Sequence, residues 1–347
     1  MTSSYLCIHD FGYFSSPPFL TLILHILTVI SLPIYCLGVY CILFKTPELM
    51  KSVKWYLLNL HFWAISMDYI LGVLALPYIL FPAVAWIPYG LFEWLGVPRW
   101  IQSASMTLGF CGMGISSVST YENRFYILCE FPWKPQWTVL RWIWLFLHYS
   151  VCTIAIIYSV LQIPEQEAAK QHVFGTLPCF PEYVYQADVF VLSSSPAILF
   201  VYATFGGGIA AFECFFFIFY LITNALKQLK NHTISMATLK MQRTFLTALT
   251  LQTCTQVGML VVPLLLVEFS MLFDYRDQTL INFGTIFVAA HGMMSTIVML
   301  IVHRPYRVAC LEIMGRNDKR PGPKVSIDNS QGGRRRRSTL ATTAWQT

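Results

Sequence analysis

Long apolar stretches alternate with short polar segments along the 347-residue chain. A helix needs roughly 20 mostly apolar residues to cross the hydrocarbon core of a bilayer. Seven stretches reach that length: Phe19–Phe44, Trp55–Phe81, Trp100–Cys129, Trp142–Leu161, Pro196–Thr223, Thr244–Phe269 and Thr279–Val302. They are continuously apolar and lack the alternation of barrel strands. The pattern therefore predicts an all-α membrane protein built as a bundle of seven transmembrane helices.

The composition also favours a bilayer as the solvent of this chain. Hydrophobic residues make up 56% of it and charged residues only 12%, whereas ordinary soluble domains are roughly 25% charged. The first stretch has no Lys or Arg before it and no A-x-A cleavage site after it. It is also too long for a signal peptide, so we interpret it as a retained first helix.

Lysine and arginine are distributed unevenly between the two predicted sides. One side holds 20 of the 23 Lys and Arg residues, and the other holds Arg99, Lys170 and Arg276. Because short loops rich in Lys and Arg stay in the cytoplasm, we predict the N-terminus outside and the tail inside. The basic excess marks a cytoplasmic face and does not indicate a nucleic-acid partner.

The chain then divides into four parts. These are an extracellular N-terminus (1–18), the helix bundle (19–302), a juxtamembrane amphipathic helix (303–315) and a disordered basic cytoplasmic tail (316–347). Pro305 suits the first turn of that short helix, and apolar residues follow at helical spacing. Cys310 on it is either a palmitoylation candidate or a buried thiol. In the tail, Ser338 and Thr339 follow four arginines and are phosphorylation candidates.

Ionisable side chains are costly inside the predicted spans, and four of those found there are candidates for a role: Asp68, Glu213, His61 and His291. Asp68 and Glu213 lie too deep to reach water. Asp68 is either an internal ion or water site or a protonated acid bonded to a neighbouring helix. For Glu213 the functional alternative to such a bond is a ligand or switch contact. His61 and His291 are interpreted first as helix–helix hydrogen bonds.

Glu122 and Arg124 stand two positions apart in TYENRFYIL, at the inner edge of the third stretch. That offset is about 200° around a helix, so the two side chains do not face each other. Three interpretations are open. Both side chains reach out to headgroups and water; Glu122 pairs with a base on another helix, with Arg243 preferred, in a contact that breaks when the sixth helix moves; or Arg124 directly contacts a partner protein on the inner side.

Prolines and small residues predict local features of the helices. Pro33, Pro77 and Pro263 each remove a backbone hydrogen bond and should bend their helices. Pro263 is either a pivot of the sixth helix or a passive bend. Small residues spaced four apart in the third stretch favour close helix packing: Ser105 with Gly109, and Gly112 with Ser116.

Only two of the ten cysteines, Cys7 and Cys179, fall on the predicted outer side, where disulfides persist. They either pair with each other or remain two free thiols.

No sequence pattern indicates an enzyme, since the histidines are scattered and no H-E-x-x-H motif occurs. A retinal cofactor would need a lysine in the seventh stretch, which has none. No internal repeat favours a transporter, so a receptor is preferred and a seven-span transporter or ligand-gated channel is the alternative.

Four segments resemble the nematode chemoreceptors of serpentine receptor class H. They are PIYCLGVYCILFKTPELMKSVKWYLLNLHFW (33–63), YENRFYIL (121–128), LPCFPEYVY (177–185) and HGMMSTIVMLIVHRPYR (291–307), and the resemblance runs from Ser15 to Leu311. It implies a chemosensory G-protein-coupled receptor in the plasma membrane, expected in the cilia of sensory neurons. Its partners would be a heterotrimeric G protein and a small-molecule or peptide cue, with no cofactor and no assigned oligomeric state.

The chain departs from the pattern of rhodopsin-like receptors in three places. It has E-N-R where they have D-R-Y, it ends the seventh helix in HRPYR, and no cysteine stands at the outer end of the third helix. The residues proposed for switching and G-protein coupling are therefore assigned on this chain's own pattern. They are Glu122, Asn123, Arg124, Arg243, Arg304, Pro305, Tyr306 and Arg307.

Overall fold

The computed structural model describes residues 12–48, 51–80, 82–176, 180–195, 197, 201–230, 247, 250–273 and 275–315. Five predicted positions lie outside these residues: Cys7, Cys179, Arg243, Ser338 and Thr339.

Seven long helical segments form the bundle, as the apolar pattern predicts. They are α1 (Pro17–Phe44), α2 (Lys51–Tyr69), α4 (Arg99–Leu128), α5 (Lys134–Leu161), α8 (Gly208–Lys230), the segment Thr250–Leu272 that ends in α9 (Val262–Leu272), and α10 (Gln278–Val302). The short helices are α3 (Leu91–Trp94), α6 (Gln166–Thr176), α7 (Glu182–Gln186) and α11 (Arg304–Ile313). Of the described helices, six are long and apolar enough to cross a membrane. The segment missing from those six is α4, which is long enough but rich in Ser and Gly.

The helix α4 is the centre of the bundle. It packs against α2, α5 and α8, and its inner half is almost entirely buried, from Ile115 to Phe125. A helix enclosed by others meets little lipid and does not need a continuous apolar surface. This position explains why the third stretch tolerates so many small polar residues.

Local sequence signals set the starts of several helices. The Ser16 side chain accepts a hydrogen bond from the Phe19 backbone at the start of α1, where Pro17 occupies the first turn. The Asp277 carboxylate accepts from the backbone N–H groups of Thr279 and Leu280 at the start of α10. These side chains satisfy backbone donors that have no partner within their helix.

The chain folds into a small sheet where the sequence predicts more helix. The second apolar stretch was expected to stay helical to Phe81, but the helix ends at Leu74. Pro77 therefore starts a strand and does not bend a helix. The strands β1 (Pro77–Ile79), β2 (Val84–Pro88) and β3 (Phe190–Ser193) form an antiparallel sheet in the order β1-β2-β3. Since a buried strand and a buried helix can both be continuously apolar, the pattern could not separate them.

The helix α5 begins eight residues earlier than predicted, at Lys134 and not at Trp142. The prediction counted Arg141 among the charges of an inner loop, because the apolar run starts after it. In the structure Arg141 lies inside the helix and is buried. The charge of Arg141 marked the start of the apolar run but not the start of the helix.

Three helices contain a wide π turn near a glycine or proline: Ile70–Leu74, Tyr202–Gly207 and Val257–Val261. The glycine run Gly206–Gly208 coincides with the second. Pro263, the predicted pivot, follows the third by two residues. Proline cannot donate to the carbonyl four residues earlier, so a wider turn before it is a physical consequence of its missing N–H. By contrast, α1 continues through Pro33.

Close helix packing in α4 depends on a glycine. A Cβ on Gly112 would overlap the Trp63 ring of α2, whereas a Cβ on Gly114 would meet nothing within 4 Å. We expect Gly112→Ala to lower thermal stability and surface expression, because overpacking costs about 1–3 kcal/mol. The matched variant Gly114→Ala should be neutral or slightly stabilising, since alanine favours a helix interior. A thermal melt of both purified variants measures this, and equal behaviour would contradict the close α2–α4 contact.

Candidate functional site

Glu122 is enclosed at the inner end of α4 and pairs with α5. Its side chain is 2% exposed. Arg141 Nη2 donates to Glu122 Oε2 at 2.7 Å, and Trp137 Nε1 donates to Oε1 at 2.7 Å. Trp137 and Arg141 are four residues apart, so they share one face of α5. Each carboxylate oxygen thus receives its own donor.

Arg141 connects three helices through this contact. Its Nη2 also donates to Asn123 Oδ1 and to Tyr56 OH, both at 3.1 Å. The guanidinium carbon lies 4.4 Å from the ring centre of Tyr126, within the range of a cation–π interaction. The charge of Arg141 is therefore balanced by Glu122 and surrounded by groups from α2 and α4.

These contacts decide against one interpretation of Glu122. The side chain does not reach out to the membrane interface, and among the described residues the base that pairs with it is Arg141 of α5. Arg141 was overlooked because it was assigned to a loop. The preferred base, Arg243, lies outside the described residues, so the structure neither places it nor brings it to Glu122.

Arg124 is buried in a different direction, at 7% exposure. It interacts electrostatically with Tyr121 of its own helix and with Tyr306 of α11. Tyr306 is fully buried, and its hydroxyl shares a 2.7 Å hydrogen bond with Thr46 Oγ1 at the end of α1. The two-residue offset thus leads Glu122 to α5 and Arg124 towards α11, as the helix geometry predicts.

The other residues of the HRPYR segment begin the helix α11. Pro305 occupies its first turn. Arg304 and Arg307 are exposed, and Arg307 Nη1 donates to the Ile301 carbonyl at 2.9 Å. Cys310 packs partly buried against the inner cluster that contains Cys41 and Leu57. The predicted short helix is present where the sequence places it.

Asp68 joins three helices near the middle of the bundle. Tyr35 of α1 donates its hydroxyl to Asp68 Oδ2, and the backbone N–H groups of Gly292 and Met293 in α10 lie 3.3 and 3.2 Å from the carboxylate oxygens. A Cβ on Gly292 would lie 2.7 Å from Asp68 Oδ2. Only glycine lets the backbone of α10 approach the carboxylate this closely, so the contacts expected of a hydrogen-bonded acid are present.

The two candidate histidines, His61 and His291, differ in their hydrogen bonding. His61 Nδ1 shares a hydrogen bond of 3.2 Å with Thr296 Oγ1 of α10, and Nε2 lies 3.4 Å from the Tyr35 carbonyl of α1. This is the predicted helix–helix bond. His291 is equally buried, but its Nε2 has no hydrogen-bond partner among the described residues. The expectation of a helix–helix bond through that nitrogen is therefore not met by the described part of the chain.

Glu213 of α8 repeats the arrangement of Glu122. Trp144 Nε1 donates to Glu213 Oε1 at 3.1 Å, and His148 Nε2 lies 3.0 Å from Oε2. Both partners are on α5, four residues apart. Sequence reasoning missed them, although positions 137, 141, 144 and 148 follow helical spacing on one face. Such a polar stripe on an apolar helix is the signal that would have revealed both carboxylate partners.

Two side chains tie the sixth helical segment to α4: Gln256, and Thr253, whose Oγ1 shares a hydrogen bond of 3.1 Å with Tyr121 OH. Tyr121 OH donates to Gln256 Oε1 at 3.0 Å, and Gln256 Nε2 donates to Ser117 Oγ at 2.7 Å. Gln256 immediately precedes the π turn Val257–Val261. These bonds join the middle of the bundle to the segment that carries Pro263.

At the other end of α4, charged side chains fasten the loops. Arg99 Nη2 donates to Glu93 at 2.9 Å and also to Asp188, and Lys170 Nζ lies 3.2 Å from Asp188. The hydrogen bond from Arg99 lowers the pKa of Asp188 to about 2. Asp188 therefore stays ionised at physiological pH, and two of the three outer bases meet on it.

Comparisons with known proteins agree with this architecture. Residues 15–316 match the sequence model of the family described as serpentine type 7TM GPCR chemoreceptor Srh. Serpentine receptor class H-72 of Caenorhabditis elegans is 24% identical over 308 residues, which cover 87% of each chain. Squid rhodopsin has a similar fold, with a TM-score of 0.54 and 12% identity over 88% of this chain and 87% of its own.

The Glu122–Arg141 pair predicts a strong effect on stability. Arg141→Met would leave Glu122 buried without its ionic partner, which costs about 3–5 kcal/mol. We expect a lower melting temperature and less receptor at the cell surface. The double variant Glu122→Leu with Arg141→Met should recover much of the loss, because an apolar pair of similar volume needs no charge balance.

The exposed pair of Glu130 and Lys134, 2.9 Å apart, offers a matched control. Glu130→Gln should change the melting temperature little, since exposed pairs contribute about 0–1 kcal/mol. If Arg141→Met were no more harmful than Glu130→Gln, the buried pair would not stabilise the bundle.

Proposed function

The chain belongs to the serpentine receptor class H family of seven-transmembrane chemoreceptors, and we propose that it detects a small-molecule or peptide cue outside the cell and activates a heterotrimeric G protein inside. The observation that carries this proposal is the buried polar contact set at the inner end of α4. Three nearby positions of α4 contact three different partners there: Glu122 pairs with Arg141 of α5, Arg124 faces Tyr306 of α11, and Tyr121 bonds Gln256. A seven-span transporter or ligand-gated channel is the alternative.

A receptor of this kind needs contacts that hold one arrangement of helices until a ligand favours another. We assign that restraint to Gln256, because it bonds two residues of α4 from the segment next to the π turn. Glu122 then acts as an anchor between α4 and α5. Arg124, together with the HRPYR residues, faces the G protein in the active state. The sequence suggested Glu122 as the restraint. In this scheme the restraint is Gln256, which bonds Tyr121, the residue before Glu122.

Membership of this receptor family supports a proposal for where the protein works in the cell. As a multi-pass membrane protein of a chemoreceptor family, the chain would work in the plasma membrane, and we propose the cilia of chemosensory neurons as its place. Tagged receptor expressed in such neurons would show this by light microscopy. A ligand screen with G-protein activation as the readout tests the function itself, and a cue that opened an ionic current without G protein would favour the channel.

The charge asymmetry predicts the orientation of the chain. An epitope placed before Thr2 should be stained on intact cells, and one after Thr347 only after permeabilisation. The receptor proposal requires this orientation, because the HRPYR end must reach a cytoplasmic G protein. The opposite staining pattern would rule it out and favour the channel.

The restraint predicts constitutive signalling. Gln256→Leu removes the two bonds of Gln256 to α4 and leaves the contact of Thr253 with Tyr121 in place. A loss of about 1.4 kcal/mol shifts a two-state equilibrium tenfold. We expect higher ligand-independent G-protein activation per receptor at the surface, whereas Arg124→Ala should abolish activation.

The neighbouring variant Thr255→Val provides the control, because Thr255 is half-buried and its hydroxyl bonds only the Leu251 carbonyl of its own helix among the contacts described. It should leave basal activity unchanged. If Gln256→Leu behaved like Thr255→Val at equal surface expression, Gln256 would not restrain the inactive state.

A further inference from the structure

A cavity of about 490 Å³ opens at the outer end of the bundle, between α4 and α5. Six residues line it: Arg99, Trp100, Val160, Ile163, Gln166 and Phe190. Its volume lies within the range of small-molecule sites, roughly 300–1,000 Å³. The polar contacts of Glu122, Asp68 and Glu213 involve none of the lining residues, so the cavity is a separate feature of the molecule.

The walls of the cavity are held in place by contacts behind them. Gln166 bonds both the N–H and the carbonyl of Val191, at 2.9 and 3.1 Å, which fixes α6 against β3. The Phe190 ring packs edge-on against Trp86 of β2, with ring centres 5.8 Å apart. A cavity with fixed walls needs little ordering when a ligand enters, and this favours affinity.

The lining is mostly apolar, with one cationic group. Trp100, Val160, Ile163 and Phe190 offer carbon surface, while the amide of Gln166 is already bonded to the backbone. The two ion pairs of Arg99 both use Nη2. An arginine has five N–H donors, and none of those on Nη1 or Nε has a partner among the described residues. They are available to an acceptor on a bound molecule.

The charge around Arg99 selects against an anion. Glu93 and Asp188 pair with it directly, and Glu167 pairs with the neighbouring Lys170. Three carboxylates thus accompany two bases, so a carboxylate or phosphate entering the cavity would be repelled. For the same reason a phospholipid is a poor occupant, because its phosphate would need an unpaired base.

We propose that this cavity binds a small, neutral, apolar molecule that carries one hydrogen-bond acceptor, such as an aliphatic ketone or ester. The carbon chain lies against Trp100, Val160, Ile163 and Phe190, and the acceptor oxygen receives a hydrogen bond from Arg99. The proposal deepens the receptor function and rests on it only for the consequence of binding. It names the chemical class of cue that the outer end of the bundle would accept.

Photoaffinity labelling of the full-length receptor in lipid nanodiscs tests the site without any G protein. The probe is a medium-chain methyl ketone that carries an aliphatic diazirine, compared with the matched carboxylic acid and the matched alkane. We expect the ketone to label peptides containing residues 99–100, 160–166 or 190, at least tenfold more than either comparison probe. Val160→Trp and Ile163→Trp fill the cavity and should reduce labelling about tenfold.

Ile154→Trp is the matched control for Val160→Trp, since Ile154 is exposed on the helix α5 that carries Val160 and does not line the cavity. It should leave labelling unchanged, and its melting temperature shows whether a tryptophan on α5 disturbs folding. Labelling that ignores the filling variants, equal labelling by the acid, or a co-purified phospholipid that Ile163→Trp displaces would each overturn the proposal. A receptor that binds the ketone here but fails to activate a G protein would contradict the signalling function and leave the site intact.

Discussion

A carboxylate that leaves water must receive its hydrogen bonds from the protein, and this requirement organises the helix bundle. Isolated charges inside a bilayer cost several kcal/mol, and Asp68, Glu122 and Glu213 all lie in spanning helices. Asp68 and Glu122 each accept at least two hydrogen bonds from other helices, and Glu213 accepts one from Trp144 and shares a second with His148. Since the partners of each acid lie on a helix other than its own, every satisfied carboxylate also fixes how its helix packs against a neighbour.

The helix α5 meets this requirement twice with the same device. A tryptophan donates to one oxygen of the acid, and a basic side chain four residues later reaches the other: Trp137 and Arg141 for Glu122, Trp144 and His148 for Glu213. The indole N–H is a donor on a large apolar ring, so it suits a site that borders lipid. Through this repeated spacing, α5 is hydrogen-bonded to both α4 and α8.

The sequence was most informative where a single physical property decides the structure. The length of the apolar runs predicted seven helices, and the offset of Glu122 and Arg124 predicted their separate directions. It was least informative where the deciding contact is made across the fold. The apolar run to Phe81 could not show that Pro77 starts a strand, because that outcome depends on pairing with Pro88 and its neighbours. Likewise Arg141 looked like a loop residue until Glu122, 19 positions earlier, was placed beside it.

The π turns affect how this receptor can be compared with others of its fold. A π turn contains one residue more than an α turn, and one residue rotates a helix by about 100°. Every side chain beyond Gly207 or Val261 in its helix is therefore rotated by that amount relative to an uninterrupted helix. A receptor that shares the bundle but lacks one of these turns would present the equivalent side chain one sequence position away. Residue correspondences across such a pair have to be drawn with a single-residue gap inside the helix, or lipid-facing and inward-facing positions exchange places.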